Sequence, residues 1–109
     1  QIINIGSIGA LSVVPTAAVY CASKFAVRAI SDGLRQESSK IRVTCVNPGV
    51  VESELASTIT QAETMAAMDA YRSVALKPAD IARAVRHIIE APENVDTTEI
   101  TIRPTASPN

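Results

Sequence analysis

QIINIG at residues 1–6 and IRVTCV at 41–46 are short, apolar, β-branched runs, and the segment from Val19 to about Glu37 between them has helical period. Two such strands separated by a long helix cannot form a tight hairpin. They predict parallel neighbours joined by a helical crossover. The helical repeat is carried by Ala22, Ala26, Ile30 and Leu34, which predict the stripe facing the sheet, and Gly33 weakens it only locally. The first strand, largely apolar, is expected to be buried on both faces.

The remaining chain extends this alternation. KPADIARAVRHIIEAP places Pro78 at a first helical position, repeats Ile81, Val85, Ile88 and Ile89 on one side, and stops before Pro92. TTEITIRPT sets Thr98, Ile100 and Ile102 against Glu99, Thr101 and Arg103, the pattern of a half-buried strand. The expected fold class is α/β, a βαβαβ run forming part of a doubly wound parallel sheet. Asn47-Pro48-Gly49 is expected to stop the second strand, because Pro cannot donate to a ladder. Residues 50–76 are weakly patterned with short helical pieces, and a connection of that length in a compact unit is usually a lid or binding loop. It reads as a substrate-loop insertion.

Open parallel sheets bind ligands at the carboxyl ends of their strands. Ser7 follows the first strand and Pro48-Gly49 the second, so both fall at such ends. The helix between them carries Tyr20 and Lys24, four positions apart, and an advance of about 3.6 residues per turn puts both on one face.

Composition narrows the function classes. With 109 residues, 47% hydrophobic, 19% charged and a net charge of -1, the chain is one ordinary globular unit or part of one. The 10 basic residues are scattered against 11 acidic ones, which gives no footprint for nucleic acid or an anionic membrane. No apolar run approaches the ~20 residues that span a bilayer. A small-molecule ligand and a cytoplasmic location are the expectation. Cys21 and Cys45 lack zinc-site spacing and read as two buried free thiols. A chain that opens inside a strand-like run without an initiating Met reads as a piece of a longer one.

The serine thirteen residues before the tyrosine in INIGSIG (20 − 7 = 13), Y-x-x-x-K in YCASK, and NPGVVES occur in order on the expected elements. Together they strongly resemble the short-chain dehydrogenase/reductase family. The resemblance runs along essentially all of residues 1–109 but corresponds to the carboxyl-terminal half of one NAD(P)-binding, Rossmann-like domain. The family's Gly-rich pyrophosphate turn, its NAD-or-NADP selecting residue and its catalytic asparagine belong to the amino-terminal half.

The resemblance implies an NAD(P)-dependent oxidoreductase that interconverts an alcohol and a carbonyl by hydride transfer. Its cofactor would be NADP or NAD, with NADP the family-level expectation. Ser7, Tyr20 and Lys24 would be catalytic: Ser7 binds the substrate oxygen, Tyr20 exchanges its proton, and Lys24 also bonds the nicotinamide ribose. Pro48, Gly49, Val50, Val51 and Ser53 would meet the cofactor with Tyr20 and Lys24, and a homo-oligomer, dimer or tetramer, is implied. The chemistry explains the helix pair. A phenol with an ordinary pKa near ~10 is a poor base at neutral pH, and an adjacent cation favours phenolate.

Each feature has a plainer rival. Tyr20 and Lys24 could be a surface pair with a snorkelling lysine, Ser7 a turn residue or cap, and Pro48-Gly49 a simple strand stop. Met65, Met68 and Tyr71 could line a substrate pocket, although Met at such spacing is more often ordinary packing. His87, the only histidine, falls on the polar side of its helix. A hydrolase would need it near Ser7, and Ile5 breaks the G-x-S-x-G elbow. The competing class is a truncated, inactive fragment that keeps the motif as a binding or assembly piece.

Overall fold

Ile2–Ile5 (β1), Val43–Pro48 (β2) and Glu99–Ile102 (β3) form a three-stranded parallel sheet in the order β1-β2-β3. The computed structural model describes residues 1–54 and 62–108. Three α-helices join the strands: Ala18–Glu37 (α1), Ala62–Arg72 (α2) and Pro78–Glu90 (α3). The parallel α/β architecture expected from the strand–helix alternation is the one observed.

β2 is the central strand, and Val43, Thr44, Cys45, Val46 and Asn47 are all buried. α1 and α3 both pack on it, contributing buried Cys21, Ser31 and Ile88. Polar ties fix the layers. Arg35 on α1 donates to the carbonyls of Val43 at 2.8 Å and Thr98 at 2.9 Å, and Arg28 pairs with Glu99 of β3 at 2.6 Å. Asn4 Nδ2 of β1 donates to Ser31 Oγ at 2.9 Å. Pro78 opens α3 as expected, and Asp80 Oδ2 accepts the backbone N–H of Lys77 at 2.8 Å.

Several details differ from the expectation. β1 is only partly covered: Ile2 is 36% and Ile5 49% exposed, while Ile3 and Asn4 are half-buried. Ala22, Ala26 and Ile30 face outward, while α1 turns Cys21 and Ser31 toward the sheet. Helical spacing permits either stripe, and the bonds of Ser31 and Arg35 to the sheet select this rotation. Ile89 likewise lies outside the packed face of α3.

β2 runs through Asn47 and Pro48, which pair with Thr101 and Ile102, instead of stopping before them. Pro is tolerated as the last residue because the next ladder bond is donated by Gly49 N–H to Ile102 O, at 2.7 Å. GSIGA contains a single 3₁₀ turn at Ile8–Ala10. In the weakly patterned connection, α2 forms and Val51 makes a parallel bridge to Leu76; its residues 55–61 lie outside the described residues. Among the described residues no helix is long and apolar enough to cross a membrane.

Candidate active site

Ser7 is the second residue beyond β1, in extended backbone and buried. Its Oγ accepts the N–H of Gly9 at 3.0 Å and caps the 3₁₀ turn. The capping role is therefore real. It also fixes the hydroxyl, whose proton and second lone pair are not consumed by that bond.

α1 brings Tyr20 to the same place. A Cβ built on Gly9 would lie 3.1 Å from Tyr20 Cε1 and 3.4 Å from Ser7 Oγ, so Gly9 is the thin spacer between serine and phenol. Lys24, one turn further, holds its ammonium 5.8 Å from the centroid of the Tyr20 ring, within cation–π range. Lys24 Nζ also donates to the carbonyl of Ile5 at 3.4 Å, tying the helix pair to the end of β1. Tyr20 is 40% exposed, and it opens onto a cleft.

That cleft has a volume of about 2010 Å³, and Ser7, Tyr20, Pro48, Gly49, Val50, Val51 and Ser53 line it. Of the catalytic and cofactor-binding candidates, Lys24 stands off its wall, beside the Tyr20 ring. The turn after β2 is pinned from both sides: Leu76 N–H donates to Val50 O at 3.0 Å, and Glu52 N–H to Leu76 O at 2.9 Å. Gly49 is required by its neighbour strand, since a Cβ there would stand 2.9 Å from Arg103 Cβ. Ser53 is exposed and its carbonyl accepts a bond from Arg72.

Met68 and Tyr71 of α2 line the cleft. The Met65 side chain lies outside the described residues. His87 is exposed on α3, as expected. Cys21 and Cys45 are buried free thiols, and burial pushes the Cys45 thiol above its ordinary value. Among the described residues no group of three or more His, Cys, Asp or Glu could hold a metal ion.

Three residues of this region escaped the sequence reading. Gly9 had a signal, the second glycine of GSIG in the loop between the first strand and the helix. Thr16 had none: it lines the cleft with φ 68°, a left-handed conformation rarely adopted by β-branched residues. Asn47 read as a strand stop and is instead a fully buried strand residue.

A family model described as short chain dehydrogenase matches residues 1–64. An uncharacterized oxidoreductase of Staphylococcus saprophyticus is 42% identical over 110 residues, covering 97% of this chain and 45% of its own length. Dehydrogenase/reductase SDR family member 11 of Gallus gallus is 41% identical, covering 96% and 44%. The chain thus spans less than half the length of these relatives. Among solved structures, the closed form of serine dehydrogenase complexed with NADP+ superposes with a TM-score of 0.78 at 30% identity, over 92% of this chain and 42% of that one. A 4-hydroxyisoleucine dehydrogenase complexed with NADH gives 0.72 at 25% identity, over 94% and 44%.

Proposed function

The chain belongs to the short-chain dehydrogenase/reductase family, and from that premise we propose that it supplies the proton-handling half of an NAD(P)-dependent oxidoreductase interconverting an alcohol and a carbonyl. The observation that carries this reading is the convergence of Ser7 and Tyr20 across Gly9 on one cleft wall, with the Lys24 ammonium beside the phenol.

The donor set fits a nicotinamide nucleoside. Lys24 spends one N–H on Ile5 O and has others for a ribose hydroxyl. Tyr20 and Ser53 add hydroxyls, and Pro48, Gly49, Val50 and Val51 form a rigid wall at the strand ends for the carboxamide side. When bound, the nicotinamide supplies or accepts the hydride. NADP and NAD both occur in the solved relatives, and NADP is the form we propose to test first.

The chain's own residues manage the oxygen. Ser7 Oγ–H donates to the substrate oxygen and holds it against Tyr20. In the reductive direction the Tyr20 hydroxyl gives its proton to that oxygen as the carbonyl becomes an alcohol. In oxidation the phenolate takes it back. Lys24 stabilises the negative charge that the phenol carries between these states.

We place residues 1–109 in the carboxyl-terminal half of the domain, with the pyrophosphate turn in the other half, so that activity belongs to the full-length protein and not to this chain alone. A homo-oligomer in the cytoplasm is part of the same proposal. The test is to incubate the full-length protein with NADPH or NADH and a panel of aldehydes and ketones, following nicotinamide absorbance and alcohol formation. Stoichiometric cofactor oxidation and alcohol formation are expected. Absence of both across the panel overturns the reading.

A further inference from the structure

Asn47 has no exposed surface, in a strand where Val43, Cys45 and Val46 fill the core around it. Its amide is only half satisfied. Oδ1 accepts the Cys45 thiol at 3.4 Å, and Nδ2 has no hydrogen-bond partner among the described residues. A buried donor without an acceptor is destabilising, and an apolar side chain of similar size avoids that penalty. Such a group next to a reaction centre points to a role beyond packing.

Its place suggests the role. The Asn47 Oδ1 lies 2.5 Å from where a Cβ on Gly6 would stand, with Cys45 Sγ 3.1 Å from the same point. Gly6 directly precedes Ser7, and its N–H donates to Val46 O at 2.7 Å, continuing the ladder past β1. The amide therefore lies against bare backbone at the step where the chain leaves the sheet for the Ser7 turn. Behind it, half-buried Asn4 and buried Ser31 and Cys45 make a row of polar groups between α1 and the sheet.

We propose that Asn47 is a positioning residue for the reaction: pressed against Gly6, its amide sets the backbone from which Ser7 presents its hydroxyl to the substrate oxygen. A Cβ at position 6 would fall 2.5 Å from the Asn47 amide oxygen, so any larger residue there must displace that amide. The proposal rests on the reading of Ser7 and Tyr20 given above.

The test uses the full-length enzyme. Asn47→Leu keeps the volume and removes the amide. It should lower kcat roughly ten- to a hundredfold, the scale of a small misplacement at a reacting centre, while cofactor KM stays within about twofold and Tm is unchanged or higher. Unchanged kcat, or a kcat loss that only follows a fall in Tm, overturns it. Gly6→Ala should be impaired by its clash, and Gly6→Ala combined with Asn47→Ala should recover kcat at least about tenfold over Gly6→Ala. This pair decides the matter if Asn47→Leu does not fold, and no recovery overturns the proposal. Tyr20→Phe is run alongside: if that variant turns over normally, the reading of the site fails, whatever Asn47 does.

Discussion

Gly9 and Tyr20 pack closely, a Cβ on Gly9 falling 3.1 Å from the phenol ring, tighter than an ordinary side-chain contact. The contact explains how a loop residue and a helix residue converge: the 3₁₀ turn carries glycine where the ring lies. Gly9→Val in the full-length enzyme should push the ring off its position and lower kcat about tenfold or more. Circular dichroism and Tm should change little, since the turn faces the open cleft. Full activity of this variant would mean that the ring is free to move without consequence.

How much of this was legible in the sequence follows from which contacts are local. The order of strands and helices, the Pro78 start of α3 and the Tyr20–Lys24 pairing depend on spacing along the chain, and all could be read. The facing of α1 could not, because two stripes one residue apart satisfy the same period. Only the long-range bonds of Ser31 and Arg35 choose between them. The end of β2 was hidden for a similar reason: Pro48 breaks an isolated strand pattern but fits where Gly49 supplies the next bond. Asn47 holds its strand position through burial in the sheet, against its local preference, and the left-handed φ of Thr16 has no mark in the residue type.

Thr16 stores backbone strain at the rim of the cleft, with φ 68°. A left-handed β-branched residue costs about 1–3 kcal/mol, and glycine in its place gives back about 0.5–1 kcal/mol through the greater freedom of the unfolded chain. Thr16→Gly should therefore raise stability by roughly 1 kcal/mol, seen as a Tm higher by a few degrees. A lower Tm would show that the Thr16 side chain makes a contact worth more than the strain.

Asp80 gives the fold a pH signature. The Lys77 backbone N–H, and then the Arg83 guanidinium, hold its carboxyl below the ordinary carboxylate range. Its contribution is therefore complete above the unfolded value near ~3.9 and disappears as pH falls through the lower folded value. Asp80→Ala should be less stable than the parent in urea melts at about pH 7, and the two should converge as pH falls below about 4 and through the lowered folded value. A difference that persists at the acid end would mean that the cap does not depend on the carboxylate.

The most direct test of the central claim is the turnover number of Tyr20→Phe in the full-length enzyme, measured on the best carbonyl substrate of the panel. The substitution removes one hydroxyl and leaves the ring that packs on Gly9 and faces Lys24. Folding and cofactor KM should stay near the parent values while kcat falls by about 10²- to 10⁴-fold, the usual share of acid–base catalysis. Retention of more than about a tenth of the parent kcat would contradict the account, because the proton would then be reaching the substrate oxygen from another group.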